Sequence, residues 1–188
     1  MTSNLYSIIE RLSNLLRSES RSQGQDLGLQ PVQHEALHYI SRCNRYSDTP
    51  QGVTEYLGLT KGTVSQTLKV LESRGLIEKK KDSADKRITH LQITAAGSSY
   101  LTSTTPPGDF LKAVERLGQE KVTVLNELLC ELLKAYQTLQ GREGFGVCKQ
   151  CKFNQRRKDG FFCELTRESL SSEDIRLICK EFTKTIST

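Results

Sequence analysis

Apolar residues at Leu5, Ile8, Ile9, Leu12, Leu15 and Leu16 recur three and four apart. That spacing predicts a helix over 4–17 with one wide apolar face, ended by the polar run 18–28. A second helix is expected over 31–41, with Pro31 in its first turn and Val32, Ala36, Leu37, Tyr39 and Ile40 as its apolar set. Thr49-Pro50 reads as an N-cap followed by proline, so a short helix should run Pro50–Leu57. Gly58-Leu59 makes a turn, and Thr60 caps a helix expected over Lys61–Ser73. Within it Val64, Leu68 and Leu71 fall on one face and should point to the core. Gly75 suits a left-handed helix stop. The period then changes: 76–81 reads as a strand, Asp82-Ser83-Ala84-Asp85 as a turn, and 87–93 as a second strand with Thr89, Leu91 and Ile93 on one face. Thr94 caps a further helix, which the two prolines of 104–108 break. From 109 to 140 the spacing is helical again, with a joint at Gly118.

Helix, turn, helix and two-stranded ribbon, in that order, make a winged helix. The fold class expected is mainly α with a small β-hairpin wing. The stripe from Val122 to Leu139 and the one over 5–16 are too wide for a small winged helix to cover both, which points to a homodimer formed through the helical ends. The chain is thus expected to divide into a winged-helix domain over 1–140, with the helix-turn-helix and hairpin at 29–103 and dimerising helical ends at 1–28 and 104–140, and a separate unit at 141–188.

At 188 residues with a formal charge of +5, the chain fits one domain and an appendage, and its charge permits a polyanionic partner without demanding one. No apolar run approaches about 18 residues, so no membrane partner is expected. The N-terminus lacks the basic and apolar regions of a secretory signal, and the chain is read as cytoplasmic.

The second helix of the turn motif can reach base edges in a major groove, and the hairpin can reach the flanking minor groove. Lys61 and Lys69 suit phosphates, while Thr63, Ser65, Gln66 and Thr67 carry donors and acceptors for bases or backbone. Lys79, Lys80, Lys81, Lys86 and Arg87 make the wing basic, and their mutual repulsion would be relieved by double-stranded DNA. A lysine-rich edge strand also guards against aggregation, so no single lysine decides the matter.

From Leu29 to Leu101 the chain resembles the MarR family of winged-helix regulators. The resemblance rests on Leu59-Thr60-Lys61-Gly62-Thr63-Val64-Ser65, Leu71-Glu72-Ser73-Arg74-Gly75-Leu76-Ile77, Asp82-Ser83-Ala84-Asp85-Lys86-Arg87 and Leu91-Gln92-Ile93-Thr94-Ala95-Ala96-Gly97. It implies an obligate homodimer on a pseudo-palindromic operator, usually a repressor and not an enzyme, with room for a small-molecule effector. It further implies that Arg87 enters the minor groove while Asp85 braces the wing turn. The family's peroxide-sensing branch uses a cysteine near the first helix, and this chain has none before Cys43. Typical members end after the dimerisation helix, so the resemblance leaves 141–188 unexplained.

That remainder holds Cys148, Cys151, Cys163 and Cys179, separated by two, eleven and fifteen residues. A Cys-x-x-Cys turn brings two thiolates to one point, and two more can complete a tetrahedral site. In a reducing compartment such clusters are more often metal ligands than disulfides. So short a segment with few apolar side chains commonly needs a metal to fold. Zinc is favoured; the single Cys-x-x-Cys and uneven gaps also suit an iron–sulfur cluster. Phe153, Phe161 and Phe162 would shield the site, and the Ser171-Ser172-Glu173-Asp174 cap would put Cys179 on a helix. Cys43 gains no role, Cys130 is expected in a core, and His34, His38 and His90 are read as structural or surface residues. Two other functions fit less of the chain: a thiol-disulfide oxidoreductase using Cys148 and Cys151, which lacks its usual βαβ context, and a protein-interaction module.

Overall fold

The structure is a computed structural model and describes residues 2–23, 28–141, 144–158 and 160–183. The end of the expected first connection and residues 184–188 of the C-terminal unit lie outside the described residues. Seven helices are described: α1 Thr2–Gln23, α2 Pro31–Arg42, α3 Pro50–Leu57, α4 Lys61–Ser73, α5 Ala95–Thr104, α6 Gly108–Leu117 and α7 Gln119–Leu139. The first runs six residues past the expected 4–17, because 18–23 is polar but contains neither glycine nor proline to stop it.

The helix-turn-helix follows from its caps. Thr49 Oγ1 accepts from Gly52 N at 3.1 Å and Thr60 Oγ1 from Thr63 N at 3.2 Å, fixing the starts of α3 and α4. Gly58, at φ 64°, supplies the left-handed turn between them. Strands β1 Ile77–Lys81 and β2 Thr89–Ile93 pair antiparallel with Lys79 opposite Leu91, forming the wing. Leu37, Tyr39, Val53, Val64, Leu68, Leu71, Leu76, Ile77 and Leu91 fill the core beneath. Burial of each Leu, Ile or Val side chain contributes roughly 1.5–3 kcal/mol.

The C-terminal unit is built of short strands. β3 Gly146–Val147 pairs with β7 Ile178–Cys179, and β4 Asn154–Arg157, β5 Gly160–Cys163 and β6 Glu168–Leu170 form a three-stranded antiparallel sheet. The expected helix at Cys179 is absent. Asp174 Oδ2 accepts from Ser171 N and Oγ, both at 2.9 Å, so the cap starts only a 3-10 turn over Asp174–Arg176 before the chain pairs with β3.

Two cores interlock where this unit meets the winged helix. Ile178 is buried in the first core, and Phe145 packs against it. A second cluster of Cys148, Leu170, Ile175 and Cys179 receives Tyr46 from the loop between α2 and α3. The long helices are left open: Leu5, Ile8, Leu12 and Leu15 on α1 and Leu125, Leu128, Leu129, Leu132 and Leu133 on α7 are all exposed. Cys130 is exposed with them, not buried in a core of this chain. No described helix is long and apolar enough to cross a membrane.

Candidate nucleic-acid interface and cysteine pocket

Helix α4 presents one face to the core and the other outward. Val64, Thr67, Leu68 and Leu71 are buried, whereas Lys61, Thr63, Ser65, Gln66 and Lys69 are exposed. Thr67, expected among the base-reading groups, is turned inward and leaves that set. The Thr63 hydroxyl lies 2.9 Å from that of Thr60, which ties it to the helix start.

The wing tip is ordered by two aspartates. Asp82 Oδ1 accepts from Ala84 N and Asp85 N, both at 2.7 Å, and these bonds with the His90 contact hold its carboxyl below the usual range. Asp85 accepts from Arg87 through the backbone N–H at 3.0 Å and through Nε and Nη2 at 2.9 and 2.7 Å. The Arg87 side chain is nonetheless 90% exposed and projects from the tip. Lys86 is exposed beside it, while Lys79 is drawn to Glu72 at 2.6 Å.

His90 joins the wing to the loop before α3. Its Nδ1 lies 2.6 Å from Asp48 Oδ1 and its Nε2 3.1 Å from Asp82 Oδ2. The Asp48 bond is the largest cause of a raised His90 pKa, with burial opposing and Asp82 adding to the rise. Burial pushes the Asp48 carboxyl up, and His90 draws it partly back. Leu91 N also donates to Asp48 O at 2.6 Å.

The four cysteines of the tail line one small pocket with Phe153, Leu170, Asn154, Asn44 and others. Cys148, Cys151 and Cys179 are buried and Cys163 is partly so, with all four thiols free. Burial pushes the Cys148 thiol up to about 11, with Cys179, Cys151 and Cys163 near enough to add to the rise. As placed, no three His, Cys, Asp or Glu side chains among the described residues are close enough to hold one ion. The donor chemistry still suits a soft metal. Asn154 Nδ2 donates to Cys148 Sγ at 3.7 Å and Thr183 N to Cys151 Sγ at 3.5 Å. Phe161 packs against the cluster as expected, whereas Phe162 lies under the Arg157 guanidinium, 3.5 Å from ring centroid to Cζ. A buried thiol with a raised pKa, as at Cys148, is a poor exchange nucleophile, which counts against the oxidoreductase reading.

Sequence reasoning passed over the loop from Cys43 to Asp48. Cys43 forms a parallel bridge with Ile178, and Asn44 N donates to Ile178 O at 2.9 Å. Lys180 N donates to Ser47 Oγ at 2.8 Å. Gly52 of α3 lies so close to Ser47 O and Tyr39 that a Cβ there would collide with both. Asn44 is 1% exposed; its Oδ1 accepts from Ser47 Oγ and Tyr46 N, while its Nδ2 has no partner. An unpaired buried donor costs roughly 1–3 kcal/mol. A polar run between two helices carries no local sign of such burial.

A separate cavity of about 620 Å³ lies between α1, α2, α5 and the start of α6, with Leu16, Arg17, His34, His38, Tyr100 and Phe110 in its wall. His34 is held there by Tyr100 OH at 3.3 Å and Thr105 Oγ1 at 3.0 Å, and burial lowers its pKa.

Residues 27–88 match the model of the MarR family. The transcriptional regulator HosA of Escherichia coli O111:H- is 32% identical over 78 residues, which cover 40% of this chain and 58% of that protein. The chain thus spans little more than half the length of the curated relatives it matches. Among solved structures, the transcriptional regulator Tm0710 of Thermotoga maritima is 25% identical with a TM-score of 0.52, covering 75% of this chain and 99% of that one. A MarR protein from Peptoclostridium difficile is 22% identical with a TM-score of 0.61, covering 73% and 90%. The Staphylococcus aureus MepR–DNA complex is 22% identical with a TM-score of 0.56, covering 72% and 98%. The chain therefore has a mainly helical, MarR-like winged-helix fold with a small β wing.

Proposed function

We propose that this chain is a DNA-binding transcriptional regulator of the MarR type, a homodimeric repressor acting on a pseudo-palindromic operator in the cytoplasm. The observation that carries the reading is the pairing of an exposed polar face on α4 with a basic wing tip, within the segment that matches the family. Lys61 and Lys69 serve phosphates, Thr63, Ser65 and Gln66 meet the major groove, and Lys86 and Arg87 meet the minor groove, with Asp85 setting the turn. The MepR–DNA complex, a fold neighbour, supports DNA as the partner. The exposed leucines of α1 and α7 support dimerisation through the helical ends, since unpartnered apolar faces of this extent mark interaction surfaces.

Cys148, Cys151, Cys163 and Cys179 form a four-thiolate centre for zinc, or alternatively an iron–sulfur cluster, which stabilises the C-terminal unit or reports metal or redox state. Their convergence on one pocket, with N–H donors already on two sulfurs, supports this. The cavity between α2 and α5 has room for a small-molecule effector. The test is fluorescence anisotropy with DNA selected from a random pool by the full chain. Selection of a two-fold symmetric site, bound by one dimer with nanomolar affinity, is the expected result. Failure to enrich any sequence, with affinity lost alike on all DNA, overturns the operator reading.

A further inference from the structure

We propose that the cysteine centre is shared with the winged helix: the Asn44 side-chain amide donates a hydrogen bond to the Cys179 thiolate of the metal-bound centre. This rests on the four-cysteine reading above. The observations are independent of the cysteine spacing. Asn44 comes from the loop before α3, some hundred and thirty residues from Cys179 in sequence, yet it lines the cysteine pocket. Its amide nitrogen is buried and has no partner, while its oxygen is fully used within the loop. Asn44 N donates to Ile178 O, the carbonyl that precedes Cys179 in the chain, and Asn44 and Cys179 line the same pocket.

Metal-bound thiolates carry excess negative charge and are stabilised by N–H donors around them. Cys148 has such a donor in Asn154 and Cys151 has one in Thr183 N. An amide at Cys179 extends the pattern to a third sulfur and satisfies the donor left orphaned. The residues flanking Cys179 are both pinned to the same loop, Ile178 O by Asn44 N and Lys180 N by Ser47 Oγ. Movement of Cys179 on gain or loss of metal is therefore felt by the loop. One residue on from Ser47, Asp48 holds His90 of the wing, and Thr49 caps α3. Asn44 is thus a positioning residue placed between the metal centre and the DNA-reading elements.

The test uses the full chain, loaded anaerobically with zinc, or with iron and sulfide, and compares it with Asn44→Asp. Aspartate keeps the oxygen that receives Tyr46 N and Ser47 Oγ but replaces the amide donor by a second oxygen. Chelator competition should show metal affinity reduced about ten- to a hundredfold, with the helical circular-dichroism signal unchanged. Equal affinity in the two proteins overturns the proposal. Should Asn44→Asp not fold, the parent still decides: loaded with cadmium-113, it should show scalar coupling between the metal and the Asn44 side-chain amide protons. Absence of that coupling in a metal-loaded parent also overturns it. A parent that takes up neither zinc, cadmium nor a cluster instead overturns the four-cysteine reading itself.

Discussion

Arg87 and His90 belong to the same hairpin but do opposite jobs. Arg87 is clamped by Asp85 through Nε and Nη2 yet stays exposed, which orients a cation outward without burying it. A narrow A·T-rich minor groove attracts such a group. Arg87→Ala should weaken operator binding by roughly tenfold or more and leave the thermal midpoint unchanged, read by anisotropy and calorimetry on one preparation. Lys61→Ala should instead weaken binding to all sequences alike and lower the salt slope by about one. His90 faces inward between Asp48 and Asp82. Its folded pKa is raised above the ordinary 6.5, so the stability it gives is fully present below about pH 6.5 and is lost as pH rises through the folded value. The thermal midpoint of the parent should therefore fall between pH 6 and 9 relative to that of His90→Gln. Parallel curves for the two proteins would remove His90 as a charged tie between loop and wing.

At the scale of elements, local chemistry decides what can be read and what cannot. Helices α3 and α4 run over the residues expected because Thr49-Pro50, Gly58 and Thr60 are short-range signals that act where they stand. The expected core positions Val64, Leu68 and Leu71 are buried. Leu68→Ala should cost about 2–5 kcal/mol and Thr60→Ala about 1 kcal/mol in urea unfolding, since the first opens a cavity and the second only uncaps α4. The C-terminal unit is different. Its strands are two to four residues long, and β7 pairs with β3 from more than thirty residues away. No local pattern encodes that partner, so a capping cluster at 171–174 pointed to a helix where the chain turns once and enters a strand. Asn44 escaped notice for the same reason: its backbone N–H bonds Ile178 and its side chain lines a pocket with cysteines more than a hundred residues away in sequence.

For the whole molecule, the exposed apolar faces and the cysteine pocket make separable demands. Charged residues at Leu129 and Leu133, which are exposed on α7, should convert a dimer to monomer in sedimentation velocity while the winged-helix core stays folded. A stable parent monomer at micromolar concentration would remove the dimer from the proposed function. The cysteine centre, if it senses, must bind DNA-competent and incompetent forms of the dimer unequally, because a metal shifts an equilibrium only by its differential affinity. The path from Cys179 through Ser47 and Asp48 to His90 reaches both the wing and the cap of α3, so the expected effect is on DNA affinity. Coupling of this kind is commonly about 5- to 150-fold and is reciprocal. Metal should change operator affinity by some factor in that range, and operator should change metal affinity by the same factor. Cys163→Ser, which removes one of the four proposed ligands without touching α4 or the wing, should abolish the difference and leave 144–183 open to protease. Equal operator affinity with and without metal, together with a tail that still melts on metal loss, would make the centre a structural staple alone.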